Sequence, residues 1–258
     1  MTWPFENDTS AVVRRLSNAR LRQHHFRNRL IGVIIFMAAA MMAFVSSYAY
    51  NITSEYAAST AYQGIFQNLS QENISLLTAD PRIESVGVYQ SVGMTERENG
   101  ITMGIVCSDE ATMRLSNIKL MEGHMPQAAN ELLVEKGYTD ALNLKAGIGD
   151  TISVHYRNQA SRQLETVDFQ ITGFIQTTAE NDSNRVAYNA IVSQSFVQEN
   201  AALAAGPVAA MISVRNTAKY TNQELKELVR AIGLDCGIST DNIQINNLYI
   251  DSNNMSKE

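Results

Sequence analysis

An unbroken run of uncharged, mostly apolar residues from Leu30 to Tyr50 constrains this chain more than any other feature. As a helix, the run would be about 31 Å long, which matches the roughly 30 Å hydrocarbon thickness of a bilayer. The core helix of a soluble domain usually keeps a polar face, but no polar stripe interrupts Leu30 to Val45. We therefore predict a transmembrane helix over residues 30–50.

A cleaved secretory signal is the alternative interpretation of this run, because Ser47-Tyr48-Ala49 has a small-x-small pattern. The leader before it would be 29 residues long, however, and the apolar run exceeds the usual 7–15 residues of a signal sequence. We interpret the run as a retained anchor. A mature N-terminus near Tyr50, found by mass spectrometry, would contradict this.

Charge is distributed unevenly on the two sides of the run. Residues 1–29 carry six arginines against two acidic residues, a net charge of +4, whereas the remainder carries 14 basic and 24 acidic side chains, a net charge of −10. Because basic flanks stay on the cytoplasmic side, we expect the N-terminus inside and everything after about residue 50 outside the cytoplasm. The membrane-orienting residues are Arg14, Arg15, Arg20, Arg22, Arg27 and Arg29.

Residues 1–29 also have the apolar spacing of an amphipathic helix. Val12, Leu16, Ala19, Phe26 and Leu30 follow one another at intervals of 4, 3, 7 and 4 residues. The segment is therefore predicted to be a basic amphipathic helix that contacts membrane lipid of the inner leaflet. The alternative is a basic flank that only sets the orientation of the anchor.

The outer part, residues 51–258, predicts a mixed α+β fold. A helical stalk over about 51–78 should stop at Asp80-Pro81. Strands are expected within 82–96 and 100–109, with a turn at 98–100, and further strands and short helices should follow, with polar breaks at 157–165 and 177–184 and a last strand over 243–250. Thr221 and Glu224 have the spacing of a capping box. Because the pattern is not repeated βαβ, a doubly wound nucleotide domain is not expected.

No motif for catalysis or nucleotide binding is found. The sequence lacks G-x-x-x-x-G-K-[ST], H-E-x-x-H and G-x-S-x-G, and its acidic balance argues against nucleic-acid binding. His155 lies in an alternating strand on the side opposite Val154 and Tyr156, which is typical of a solvated position rather than of a general base. We therefore predict no catalytic, cofactor-binding or metal-binding residue in this chain and no enzymatic activity.

Cys107 and Cys236 are the only two cysteines. Outside the cell they could form a disulfide. The alternative is two separate, partly buried thiols that behave as small apolar residues. The sequence does not decide between the two, because nothing in it brings the cysteines within bonding distance.

Residues 122–156, followed by FQITGFIQ at 169–176, resemble the extracytoplasmic core domain of MacB/FtsX-type ABC-transporter permeases. These domains have Gly-x-x-Pro, then a Glu that opens a short apolar strand, a small helix, and Gly-Asp before the next strand. The basic start of the chain and its single early span also resemble that family. The matching positions are Gly123, Pro126, Glu131, Leu132, Leu133, Val134, Leu142, Gly149, Asp150 and Gly173. Proline and glycine-aspartate turns shape the backbone, so we interpret these residues as structural.

The sequence departs from the family pattern at two places. His124 occupies a position where arginine is usual, and the approach to Gly149, residues 144–148, is slightly longer. Family members also have further membrane helices after the outer domain, so we expect this chain to be the front part of a longer permease.

The resemblance implies a permease subunit, paired with a second copy, that works with a separate ATP-binding subunit and binds no cofactor itself. Movement of the outer domain would then serve export or the control of a peptide, lipoprotein or cell-wall hydrolase. It also implies two lobes, one from about 51–126 plus 193–258 and the other from about 127–192.

Two other functions compete with this one. The chain could be a stand-alone anchored module that binds an extracellular partner without transport. It could also be a secreted enzyme, but no combination of catalytic side chains in the sequence supports that function. Further apolar spans downstream and a neighbouring gene for a G-x-x-x-x-G-K-[ST] protein would favour the permease over the module.

Overall fold

The computed structural model describes residues 9–23, 25–177, 186–204 and 206–254. Contacts divide the chain into two compact units, Met1–Ile52 and Thr53–Glu258. The predicted polar break at 177–184 lies outside the described residues except for Thr177.

Eight α-helices lie in the described part of the chain. They are α1 (Ser10–Gln23), α2 (His25–Ser59), α3 (Gln71–Ala79), α4 (Glu110–Leu115), α5 (Lys136–Ala141), α6 (Gln194–Glu199), α7 (Asn222–Asp235) and α8 (Asn247–Asn254). Among the residues that the structure describes, one helix is long and apolar enough to cross a membrane, over His25–Tyr48.

The second unit is built on one mixed sheet of ten described strands. They are β1 (Gly64–Phe66), β2 (Ile83–Thr95), β3 (Thr102–Ser108), β4 (Lys119–Gly123), β5 (Glu131–Glu135), β6 (Thr151–Asn158), β7 (Leu164–Gln176), β8 (Ala187–Val192), β9 (Val208–Val214) and β10 (Ile243–Ile245). Their order is β10-β1-β9-β2-β3-β8-β5-β7-β4, and β6 pairs with β2 and β7. The β3–β8 and β5–β7 pairs are parallel and the others are antiparallel. The predicted α+β fold with one N-terminal apolar helix is therefore confirmed.

Local signals explain much of this architecture. Asn99 and Gly100 both have positive φ, +50° and +85°, and reverse the chain between Glu98 and Ile101, which exchange two backbone hydrogen bonds. In α7, the hydroxyl of Thr221 accepts a hydrogen bond from the N–H of Glu224, whose carboxylate accepts one from the N–H of Thr221. This is the capping box that the spacing predicts.

The helical stalk predicted over 51–78 is wrong in its second half. Helix α2 ends at Ser59, and β1 follows, held between β9 and β10 by backbone hydrogen bonds. A new helix, α3, then begins where Ser70 and Asn73 cap each other. Pairing with strands distant in sequence overrides the helical spacing here.

The last predicted strand, 243–250, is also wrong beyond Ile245. The side-chain oxygen of Asn246 accepts a hydrogen bond from the N–H of Tyr249, and α8 begins at Asn247. Strand β4 was not predicted, because it lies at the edge of the sheet with all five residues exposed and has no apolar alternation.

Three hydrophobic clusters form the core of the second unit. We call them the first cluster (centred on β3, β5, β6, β7 and β8), the second cluster (β1, β9, α3 and α7) and the small third cluster (Met113, Leu133, Ile175 and Ile191). Met103 and Ile105 of β3 belong to the first cluster, together with most buried residues of 127–192. The lobe boundaries stated above remain a prediction.

Candidate functional site

A cleft of about 520 Å³ lies where the three clusters approach one another. Its walls come from six segments that are distant in sequence: α3, the middle of β2, the end of β3, the loop before β5, the end of β8 and the start of β9. Apolar and uncharged polar side chains dominate, and Asp109 is the single ionisable carboxylate of the lining. The lining residues are Gln71, Ile74, Val88, Tyr89, Gln90, Cys107, Ser108, Asp109, Met125, Pro126, Val192, Ser193, Gln194 and Val208.

The carboxylate of Asp109 is already engaged within the fold. Oδ1 accepts a hydrogen bond from the N–H of Thr112 at 2.6 Å, which caps α4, and Oδ2 accepts one from the N–H of Val88 at 3.0 Å. These bonds tie α4 to β2 and hold the floor of the cleft. Asp109 therefore has a structural task and is not positioned as a general base.

Cys107 lies in the cleft as a neutral thiol. Its Sγ donates a hydrogen bond to Oε1 of Gln194 at 3.3 Å. Burial, with a smaller contribution from the negative charge of Asp109, raises the pKa of the thiol to about 11. Since the thiolate is the reactive form, Cys107 is unsuited to nucleophilic catalysis at neutral pH.

The cysteines are not joined by a disulfide. Cys107 lies in the first cluster and Cys236, which caps the end of α7, lies in the second, and both are free and buried. This packing favours the alternative of two separate buried thiols, because they lie in different clusters.

The thiol state can be measured directly. The unreduced full chain should show two free thiols per chain after denaturation. In the native state, Cys107 should react with an aromatic disulfide reagent about 100-fold more slowly than free cysteine, because so little thiolate is present. Absence of free thiols after denaturation without a reductant would contradict this arrangement.

Two glycines of the family pattern meet at the junction of β4 and β7. Gly123 pairs with Gly173 across the two strands and has a φ of +87°, which L-residues with a side chain rarely adopt. A Cβ added at Gly123 would overlap the carbonyl oxygen of Thr172. A Cβ added at Gly173 would overlap the carbonyl oxygen of Glu122 and lie 2.9 Å from Cδ2 of Leu133. The two strands can approach this closely only because both positions lack side chains.

Glu131 and Pro126 shape the loop that forms one wall of the cleft. Oε2 of Glu131 accepts hydrogen bonds from the N–H groups of Gln127 and Ala128, at 2.6 and 2.9 Å, and Pro126 lines the cleft directly. These two backbone bonds hold the pKa of the Glu131 carboxyl below its usual value. Glu131 therefore closes the loop that begins at Pro126 and is not placed as one member of an acid–base pair.

Substituting Glu131 by glutamine should remove the charge-assisted part of these bonds. We expect Glu131→Gln to lower the free energy of unfolding by about 1 kcal/mol at pH 7. Because the folded pKa is depressed, this contribution is fully present above the unfolded pKa of about 4.3 and is lost as the pH falls through the lower, folded value. Urea denaturation of wild type and variant at several pH values should thus converge in acid. A difference independent of pH would contradict the assignment.

Gly149 and Asp150 connect the loop before β6 to β7. The N–H of Gly149, whose φ is +92°, donates to the carbonyl oxygen of Ile171, and the N–H of Ile171 donates to the carbonyl oxygen of Asp150. Oδ2 of Asp150 accepts from the N–H of Gly147 at 2.8 Å. Both residues thus shape the turn that starts β6.

Neither of the two outer histidines lines the cleft. His124 is exposed, and its Nδ1 is 3.0 Å from the carbonyl oxygen of Met125. His155 is exposed on β6, with Nδ1 2.8 Å from Oγ1 of Thr166, while Val154 and Tyr156 point into the core. Over the described residues, no group of three or more His, Cys, Asp or Glu side chains could hold a metal ion.

The six predicted orienting arginines lie on the first two helices: positions 14, 15, 20 and 22 on α1, and positions 27 and 29 at the start of α2. The side chains of Arg14, Arg15, Arg27 and Arg29 are exposed.

Pro126 and Cys107 stand out in the sequence, but the cleft to which they belong does not. Tyr89, Gln90 and Gln194 carry no motif, and the lining comes from segments that only the sheet brings together. The one available sequence signal was that residues 82–96 and 100–109 alternate or run apolar, and this pattern indicates strands rather than a site.

Comparison with known proteins yields structural neighbours only. No family model and no curated protein sequence matches the chain. The periplasmic region of MacB from Actinobacillus actinomycetemcomitans aligns with a TM-score of 0.46 at 16% identity, over 78% of this chain and 94% of that chain. The extracellular domain of the ABC-type transporter YknZ from Gram-positive bacteria aligns with a TM-score of 0.43 at 12% identity, over 71% and 98%.

A third neighbour is a domain of a protein described as a permease from Porphyromonas gingivalis, with a TM-score of 0.38, 11% identity and coverage of 72% and 77%. The chain is thus similar in fold to outer domains of two transporters and to a domain described as belonging to a permease. At 16% identity or less and TM-scores of 0.46 or lower, this likeness alone assigns no function to the chain.

Proposed function

We propose that this chain is a permease subunit of the MacB/FtsX type, anchored by α2 with its N-terminus in the cytoplasm and its second unit outside. Two copies would work with two separate ATPase subunits, and ATP hydrolysis inside would drive movement of the outer domain. The proposal rests on the layout of one apolar helix followed by an α+β domain that carries the family pattern. The charge difference between the leader and the outer part supports the orientation.

The observation that carries the coupling part of the proposal is how firmly the chain is fixed directly after α2. The N–H of Ala61 donates to the carbonyl oxygen of Leu115 at 2.7 Å, and the N–H of Gln63 donates to that of Ile212 at 2.9 Å. Oε1 of Gln63, a residue 5% exposed, accepts from the N–H of Val214 at 2.7 Å.

Asn246, directly after β10, is bonded to two residues of the same segment, Tyr62 and Gln63. The N–H of Asn246 donates to the carbonyl oxygen of Gln63 at 2.9 Å, and its side-chain amide donates to the carbonyl oxygen of Tyr62 at 3.1 Å. A flexible linker after a helix would absorb the movement of that helix. Residues 61–63 are instead hydrogen-bonded to α4, β9 and Asn246. This junction supports transmission of movement from α2 to the second unit.

In this proposal, the cleft is the site that binds the client molecule. Its lining offers apolar surface with uncharged amide and hydroxyl groups, which suits a peptide segment or another largely neutral ligand better than a phosphate or a metal ion. Ser108 belongs to this lining, and among the described residues its buried hydroxyl oxygen has no hydrogen-bond partner.

Purification from native membranes tests the proposal. The full chain, tagged at its C-terminus and extracted in mild detergent, should copurify with a stoichiometric subunit that carries G-x-x-x-x-G-K-[ST] and hydrolyses ATP in a vanadate-sensitive manner. A matched control is the same preparation after mutation of the lysine of that motif in the partner, which should retain the complex and lose hydrolysis. Recovery of the chain without any ATPase would contradict the proposal.

A stand-alone anchored binding module is the second candidate, and the observation that favours it is the mostly apolar and uncharged lining of the cleft, in which Asp109 is the one carboxylate. The two candidates differ in their dependence on ATP. A module would bind its partner equally well in membranes depleted of nucleotide, whereas a permease complex should change its exposure to protease or its client affinity between the ATP-bound and nucleotide-free states.

A further inference from the structure

One edge of the sheet in the second unit has no neighbouring strand. Among the strands that the structure describes, β4 pairs with β7 alone, and all five of its residues are exposed. Leu120 and Met121 are 39% and 58% exposed, and a β-bulge leaves Met121 without a Cα partner on β7. The outward N–H and C=O groups of such an edge can pair with a strand from another chain.

A groove of about 390 Å³ lies between β4 and α4. Its apolar lining comes from Met113, Ile118, Leu120 and Met125. Met113 belongs to the third cluster, and Ile118 and Met125 pack against that cluster. Because methionine side chains adapt their shape to a ligand, the groove suits an apolar side chain from a binding partner.

The register between β4 and β7 places this groove beside any strand that pairs with β4. Leu120 is directly opposite Ile175 of β7, so both side chains lie on the same face of the sheet. Ile175 packs in the third cluster with Met113 of α4, and this face is therefore the one that α4 covers. In a strand added along β4, every second side chain lies on that face. An extended segment can thus pair with β4 and insert an apolar side chain into the groove at the same time.

The groove carries positive charge on a domain that is otherwise acidic. Arg114 and Lys119 belong to its lining, against the one carboxylate of Glu110. Neither cation forms an ion pair with a residue that the structure describes. Since the chain beyond residue 29 has a net charge of −10, this excess of positive charge is local. It is complementary to a segment that carries carboxylates.

We propose that the outer edge of β4 and the adjoining groove bind an extended, acidic peptide segment of another protein. The segment adds a strand to β4, inserts an apolar side chain into the groove and presents carboxylates to Arg114 and Lys119. A second copy fits less well, because its own β4 carries one lysine and one glutamate and so brings no net negative charge.

This site is distinct from the cleft that the proposed function assigns to the client, although Met125 lines both. The proposal depends neither on transport nor on an ATPase subunit. Its test can therefore fail or succeed independently of the test of the permease.

Binding of a designed peptide to the full chain in detergent tests the proposal. The probe is fluorescein-labelled Thr-Glu-Thr-Ile-Thr-Glu-Thr, in which the isoleucine and both glutamates lie on one face of an extended strand. The matched control peptide has lysine in place of both glutamates. Fluorescence anisotropy should show about fivefold tighter binding of the glutamate peptide, because the cations of the groove attract only this one.

Charge reversal on the protein should reverse this preference. In the double variant Arg114→Glu with Lys119→Glu, the lysine peptide should bind about tenfold more tightly than the glutamate peptide. Both side chains are exposed, and a gain of binding to the lysine peptide cannot result from unfolding. Lys145→Glu is the matched control, since Lys145 is exposed but does not line the groove, and it should behave as wild type.

Two further measurements test the strand pairing and its location. Replacing the threonines on both sides of the isoleucine by proline should abolish binding, because proline has no N–H to donate to β4. Hydrogen exchange followed by mass spectrometry should show slower exchange at residues 119–123 when the glutamate peptide is bound, with no change at residues 88–91 of the cleft.

Three results would overturn the proposal. One is no binding of the glutamate peptide at about 1 mM, the weak end of the range of measurable affinities. Another is protection of residues 88–91 instead of 119–123, which would place the peptide in the cleft. The third is slow exchange at 119–123 without peptide that is lost on dilution, which would identify a second copy as the occupant. Failure to copurify an ATPase would count against the permease and leave this proposal standing.

Discussion

Replacing Gly173 with alanine is expected to destabilise the outer domain by about 3 kcal/mol, because the new Cβ has no space between β7 and its neighbours. The added atom would overlap the carbonyl oxygen of Glu122 and lie 2.9 Å from Cδ2 of Leu133, which is fully buried. Moving backbone atoms costs more free energy than moving the end of a flexible side chain. The new Cβ would therefore force β4 or β5 to shift.

Gly104→Ala is the matched control for this substitution. Gly104 also lies in a strand, β3, but the nearest atom to an added Cβ is the carbonyl oxygen of Tyr188 at 3.9 Å, an ordinary contact. Gly104→Ala should therefore change the free energy of unfolding by less than about 1 kcal/mol. Denaturant unfolding of the full chain in detergent, followed by near-ultraviolet circular dichroism, measures both. Equal stability of the two variants would contradict the close approach at Gly173.

Two carboxylates in the middle of the apolar helix should block membrane insertion. Met37→Asp combined with Ala40→Asp places charges near the centre of His25–Tyr48, at an expected cost of about 6 kcal/mol in apparent insertion free energy. That cost corresponds to a shift of about 10⁴-fold in the insertion equilibrium. The double variant should therefore leave the membrane fraction after an alkaline carbonate wash.

The matched control is Met37→Leu combined with Ala40→Leu, which preserves apolar character and should stay in the membrane. The outer domain should keep its stability in both variants, because no residue of the span belongs to its three hydrophobic clusters. A double aspartate variant that remains integral to the membrane would contradict the assignment of α2 as the anchor.

Local signals made the long apolar helix α2, the hairpin at 98–101 and the capping box at Thr221 predictable. Each of these depends on residues that are neighbours in sequence, such as Asn99-Gly100 or the pair Thr221 and Glu224. The alternation of Val154 and Tyr156 in β6 likewise predicts which side of the strand is buried.

Elements that depend on distant partners were not predictable in the same way. Strand β1 is three residues long and exists because β9 and β10 flank it, and β4 is an exposed edge strand that one neighbour, β7, holds in place. The cleft has the same origin, since six separate segments meet there only after the sheet has formed. Resemblance to a family located Gly123 and Gly173, but the reason for both glycines is a backbone contact that no local pattern contains.

The most direct test of the account is the orientation of the chain in intact cells. Cys107 and Cys236 are buried, so a membrane-impermeant maleimide should report single introduced cysteines with little background. Ala160→Cys lies in an exposed turn of the second unit, and Ser17→Cys lies on the exposed surface of α1. The account predicts labelling of Ala160→Cys in intact cells and of Ser17→Cys only after permeabilisation. Labelling of Ser17→Cys in intact cells, with Ala160→Cys protected, would contradict it.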